Sequence, residues 1–132
     1  MEIESRIGKV EANQERVYTL LSDFTNLGSF VPPDQVSDFK SDADSCSFTV
    51  AKIGKFGMRV VEREPFKLVK IANDENVPFQ FFMWIQIKEM AANDSRVKVT
   101  LRADLNPMLK MVAKKPLNSF VESLISKIET IR

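Results

Sequence analysis

The sequence predicts an α+β fold in which a curved antiparallel sheet of about six to seven strands wraps one long C-terminal helix. Three observations carry this reading. Residues Leu117, Phe120, Val121, Leu124, Ile128 and Ile131 recur at three- and four-residue steps, one face of an α-helix. From Val36 to Ala103 the pattern is strand after strand, separated by short polar turns. Ahead of these lie one strand and two short helical pieces, an order that places the helices at one end of the sheet and leaves the terminal helix to cover it.

Taken in order, residues 2–12 alternate as a first strand, with Ile3, Ser5 and Ile7 on one face and Gly8 marking a bulge. Asn13 caps a short helix carrying Val17, Leu20 and Leu21. A second short helix covers Asp23–Phe30, burying Phe24, Leu27 and Phe30, and Val31-Pro32-Pro33 stops it. Val36–Asp42 is a polar strand. Cys46, Phe48 and Val50 alternate inward on the next, and Lys52-Ile53-Gly54-Lys55 is a tight turn. Phe56, Met58 and Val60 continue on a strand that ends near Pro65. Leu68–Ala72 follows, then a loop over Asn73-Asp74-Glu75-Asn76. Phe79–Met90 is the longest strand, with Phe79, Phe81, Met83, Ile85 and Ile87 on one face. Asn93-Asp94-Ser95 turns the chain into Val97, Val99, Leu101 and Ala103.

The terminal helix starts well: Asn106 is an N-cap, and Pro107 suits the first helical position. Pro116 is the difficulty, because an interior proline removes a hydrogen bond and clashes with the preceding turn. Extending the stripe backwards at about 100° per residue puts Leu109, Lys110 and Ala113 near the buried side, and Met108, Met111 and Val112 on the far side. A kink or break at Pro116 is therefore expected, re-aiming the first half. Met108, Met111 and Val112 then either complete an ordinary bent core or line the adaptable mouth of a pocket.

Composition bounds the function. A chain of 132 residues with 44% hydrophobic and 28% charged residues reads as one soluble globular domain, 1–132. A net charge of +1 gives no global case for nucleic acid, and no apolar run suits stable membrane insertion. The absence of histidine excludes a Ser-His-Asp triad, a Cys-His pair and histidine-based metal sites. Cys46 is the one cysteine, so no internal disulfide or thiolate zinc site forms; with no signal-peptide pattern, the expected location is cytoplasmic. Neither a catalytic residue nor a cofactor or metal is called for.

Several segments resemble one family. Val17-Tyr18-Thr19-Leu20-Leu21-Ser22-Asp23, after a first strand, is similar to the opening of START-like, Bet v 1-like domains, the polyketide cyclase/dehydrase and lipid-transport superfamily (SRPBCC). Glu62-Arg63-Glu64-Pro65-Phe66-Lys67-Leu68-Val69 resembles the strand-turn-strand these domains place before their longest strands. Asp94-Ser95-Arg96-Val97-Lys98-Val99-Thr100 is similar to their penultimate turn and last strand, and Asn106–Phe120 to the start of their gripping helix. The resemblance implies a helix-grip fold with an apolar-ligand cavity. It does not select one activity, since such domains include carriers, cyclases, aromatases and co-chaperone-like binders.

The expected ligand is a small apolar or amphipathic molecule between sheet and terminal helix. Phe48, Met58, Phe81, Met83, Leu101, Leu117, Phe120 and Leu124 are its lining candidates, with Met108 and Val112 at the mouth. Glu62, following Val60 on the inner face, is the candidate polar contact at a cavity end, with Arg63 pointing away. The rival for Glu62 and Glu64 is a solvated strand end. A cyclase- or aromatase-like activity needs Glu62 buried. Asp42 and Asp44 lie in a polar turn facing solvent. Lys110, Lys114 and Lys115 form either a basic cluster at a pocket mouth or a solvated helix face. Gly54 and Gly57 do not form a phosphate loop. Cys46 reads as a small core residue rather than a nucleophile. Phe82 and Trp84 fall on the outer face of the longest strand and suggest an interaction patch, including a homodimer contact, unless a bulge after Pro78 turns Trp84 inward.

Overall fold

In the computed structural model, which describes residues 1–31, 36–51, 53–74 and 77–132, all strands join one curved eight-stranded antiparallel sheet. Strands β1 (Glu2–Glu4) and β2 (Gly8–Val10) are followed by helix α1 (Gln14–Ser22) and a 3₁₀ helix (Phe24–Ser29). Then come β3 (Val36–Ser41), β4 (Ser45–Val50), β5 (Gly54–Glu64), β6 (Leu68–Asn73), β7 (Gln80–Ala91), β8 (Asp94–Asp104) and helix α2 (Pro107–Ile128). Strands β3 to β8 pair in sequence, and β1 and β2 return to the free side of β8. Pro32-Pro33, Lys52 and the Glu75-Asn76 part of the expected loop lie outside the described residues.

The expected first strand is two strands, which is why the sheet has eight rather than six or seven. Glu4 pairs with Thr100 and Gly8 with Val97, so four steps on one strand match three on the other. One residue is extra, and side-chain direction inverts there. Ile3 and Ser5 face inward as expected, but Ile7 is exposed and Gly8 and Val10 are buried in its place. Ser5 bridges the irregularity: its amide donates to the Val99 carbonyl at 2.8 Å, and its Oγ accepts from the Val99 amide at 2.9 Å.

Local signals fix the helices. Asn13 Oδ1 accepts from the Arg16 amide at 2.9 Å and Asn106 Oδ1 from the Leu109 amide at 2.9 Å, satisfying donors that a first helical turn leaves free. Asp23 starts the 3₁₀ helix by accepting from the Thr25 amide and hydroxyl, and these bonds hold its carboxyl below the usual carboxylate range. Phe24, Leu27 and Phe30 are buried, as their spacing requires.

Helix α2 runs unbroken through Pro116. Ala113, Leu117, Phe120, Val121, Leu124, Ile125 and Ile128 are its buried residues, against the concave side of the sheet. The expected re-aiming of the first half does not occur. Met108, Met111 and Val112 are 77%, 86% and 51% exposed, on the side where a continuous helical phase places them. Near its other end α2 meets β2 closely: a Cβ on Gly8 would lie 2.9 Å from Ile125 Cδ1 and 3.0 Å from Glu129 Cγ, so a larger residue there would require these side chains to shift.

Candidate functional site

Between the concave sheet and the middle of α2 lies a cavity of about 30 Å³, room for about one water-sized molecule. Strand alternation builds it. Phe48 and Val50 on β4, Phe56 and Met58 on β5, Phe81 and Met83 on β7 and Leu101 on β8 point to one face, with Phe79 just before β7. Leu117 and Phe120, one turn apart on α2, complete the wall. Every lining side chain is apolar. The phenylalanines touch one another: Phe48 stacks on Phe120 with ring centres 6.2 Å apart and 9° between planes, and Phe56 meets Phe79 at 5.2 Å and Phe81 at 5.9 Å. Phe39 extends the stack to 6.2 Å from Phe48.

Seven of the expected lining residues meet here: Phe48, Met58, Phe81, Met83, Leu101, Leu117 and Phe120. Leu124 is fully buried, but one turn farther along α2 and not part of the cavity wall. Met108 and Val112 are solvent-facing and do not form a mouth wall. Val50, Phe56 and Phe79 line the cavity in addition; their inward alternation was visible in the sequence, and only their distance from α2 was not.

Glu62 is not at a cavity end. Val60 pairs with Ile71 and Glu62 with Lys70, so Val61 is an extra residue and the inner and outer faces exchange at that step. Glu62 therefore joins Lys70 on the convex side, and Arg63, opposite Val69, turns inward. The Arg63 guanidinium donates to the carbonyl oxygens of Ser22 at 2.8 Å and Ala43 at 3.1 Å and pairs with Asp44 at 2.9 Å. It ties the end of α1 to the β3–β4 turn. In that turn Asp42 Oδ1 accepts from the amides of Asp44 and Ser45 and the Ser45 hydroxyl, which holds its carboxyl below the usual range. These aspartates shape a turn. Burial, aided by the Asp42 charge, pushes the Cys46 thiol up to about 12, so it stays protonated and unreactive at neutral pH.

On the convex face, Phe82 is 42% exposed beside half-buried Trp84, their ring centres 5.9 Å apart. No bulge turns Trp84 inward: it pairs with Thr100 and Lys70 in regular register. Lys70 Nζ lies 4.9 Å from the Phe82 ring centre and 5.7 Å from that of Trp84, and the Arg102 guanidinium 5.5 Å from Trp84. These cations cover part of both rings. Among the described residues no group of three or more Cys, Asp or Glu side chains is placed to hold a metal ion. No helix among them is long and apolar enough to cross a membrane.

A strongly curved antiparallel sheet holding one terminal helix, with two short helices after the opening strand, is also found in solved structures. A START superfamily protein from Mycobacterium smegmatis superposes with a TM-score of 0.67 over 97% of this chain and 97% of its own, at 15% identity. The chain has the START-like, Bet v 1-like helix-grip fold. A protein of Thermus thermophilus gives a TM-score of 0.72 at 19% identity over 98% of this chain and 94% of that one. A Thalictrum flavum norcoclaurine synthase variant, solved with a transition-state analogue, gives 0.68 at 10% identity over 98% and 96%. No family model matches the sequence, and no curated protein matches it. The START-like likeness is thus one of architecture, carried by backbone course and inward alternation.

Proposed function

We propose that this START-like protein binds a small apolar or amphipathic molecule in the cavity between its sheet and α2, as a carrier or sensor. The observation behind this reading is a wall of ten apolar side chains, five of them phenylalanine, with no ionisable group among them. Such a wall selects by shape and apolar surface. About 200 Å² of ligand surface removed from water contributes roughly 5 kcal/mol before ordering costs. The free volume of about 30 Å³ is smaller than such a molecule, so binding displaces the stacked rings of Phe48 and Phe120. A cyclase- or aromatase-like reaction is less well supported, because the carboxylate such chemistry would recruit, Glu62, stands on the convex face.

The test is titration with N-phenyl-1-naphthylamine, an uncharged dye that fluoresces in apolar surroundings. Wild type gives a saturable rise, Phe120→Leu, which widens the cavity, binds more tightly, and Leu101→Phe, which fills it, binds more weakly. Absence of saturable binding in both wild type and folded Phe120→Leu overturns the reading. Self-association through the convex face is a second reading, favoured by exposed Phe82 and Val61, which line one depression on that face. Trp84→Lys then shifts the protein to a smaller species in sedimentation, and a wild type that is monomeric throughout the micromolar range removes it.

A further inference from the structure

The first half of α2 carries a surface that neither the fold nor the cavity uses. Ile7, Phe66 and Met90 are exposed apolar residues standing singly, but Met108, Met111 and Val112 fall within five residues and are 77%, 86% and 51% exposed. On a helix they occupy an arc of about 100°, opposite the face that Ala113 and Leu117 bury. Lys115 lies within that arc and Lys114 beside it, both exposed, whereas Lys110, also exposed, falls on the opposite side next to Ala113. The flanking carboxylates along the chain are Asp104 and Glu122, with none between. Glu122 is already engaged by Arg6 at 2.8 Å, and no ion pair to any of the three lysines exists among the described residues.

The lysines do nothing for the helix. Lys110 stands near the positive end of the helix dipole, and Lys110 and Lys114 repel each other at i and i+4. Exposed methionines likewise contribute no burial. Both classes of side chain gain only if something anionic on its surface and apolar beneath lies against them. A bilayer fits best: it accepts flexible unbranched side chains at any spacing, whereas a protein partner needs matched pockets.

We propose that the first two and a half turns of α2 are a docking surface for anionic phospholipid bilayers, with Met108, Met111 and Val112 entering the interface and Lys114 and Lys115 at the headgroups. Contact is peripheral, since these turns are too short to span. The surface ends one residue before Pro116 and two before Leu117, a cavity-lining side chain, but the inference does not depend on what the cavity holds.

Vesicle co-sedimentation of the full chain tests it, with phosphatidylcholine vesicles against the same vesicles carrying phosphatidylserine. Binding is expected only to the anionic vesicles and weakens with added salt. Lys114→Glu/Lys115→Glu loses at least about 25-fold, from about fivefold per lysine. Met108→Ser/Met111→Ser/Val112→Ser loses roughly tenfold or more while keeping the charges. All five positions are solvent-facing, so circular dichroism of both variants matches wild type. No binding to anionic vesicles overturns the proposal, as does binding that both variants retain. Equal affinity for neutral vesicles overturns the electrostatic half. Capture by an acidic polypeptide or by DNA with vesicles ignored assigns the surface to another partner and overturns it too. Dye binding in the cavity is unchanged in either variant, which separates this outcome from that of the cavity experiment.

Discussion

The two halves of α2 are one continuous helix with opposite energetics. After Pro116, Leu117, Phe120, Val121, Leu124, Ile125 and Ile128 are buried, and the outward face is ion-paired, Arg6 reaching both Glu122 and Glu129. Before Pro116, Ala113 is the one buried residue, and the outward face is methionine, valine and lysine without ion pairs among the described residues. The first half is helical because it is capped by Asn106 and continuous with a half that packs, not because it packs itself. A helix can thus present a costly surface if its neighbour in sequence anchors it.

The largest expected contrast is in truncation. Leu124→Ala removes a fully buried side chain and should cost about 2–5 kcal/mol in chemical denaturation, while Met111→Ala should stay within about 0.5 kcal/mol. Equal costs would mean that the first half packs after all.

Pro116→Ala comes next. Because the helix already runs through this residue and the methionines are not held against the sheet, straightening has nothing to disrupt. The restored hydrogen bond and better propensity should stabilise by up to about 3 kcal/mol, with slower amide exchange over residues 107–115. A loss of stability would show that the proline shapes contacts of its own.

Charge effects are smaller. Lys110→Glu replaces repulsion with an i, i+4 attraction to Lys114 and suits the helix dipole, so thermal unfolding should show a gain of about 0.5–1 kcal/mol. The opposite sign would mean that Lys110 has a stabilising role in the fold. In the second half, Arg6→Ala should cost no more than about 1 kcal/mol, because the pairs to Glu122 and Glu129 are half exposed, and that cost should shrink in high salt.

Much of the fold was legible in sequence because it rests on local rules. Asn13 and Asn106 cap as their types predict, and the alternation from Phe79 to Ile87 holds over every residue, leaving Phe82 and Trp84 outside. Two of the errors share one cause. At Ile7 and at Glu62 a single extra residue in a strand inverts the face: Gly8 marked a bulge near the first without fixing which residues it turned outward, and the Val-Val-Glu run hid the second. At Pro116 the error was of another kind, an assumption that apolar side chains must find the sheet.

The sequence by itself determined the helices, the order of the elements, the apolar faces away from the two bulges and the absence of histidine chemistry, because periodicity and composition act within a few residues. Only the tertiary structure decided which inward residues meet around the cavity, that about 30 Å³ is left there, and that Glu62 faces away from it. Those depend on strand register and on the height at which α2 crosses the sheet, set by contacts between residues far apart in the chain. The register of β1 and β2 on β8 joins segments far apart in the chain, as does the approach of Gly8 to Ile125, and no local pattern encodes such a distance.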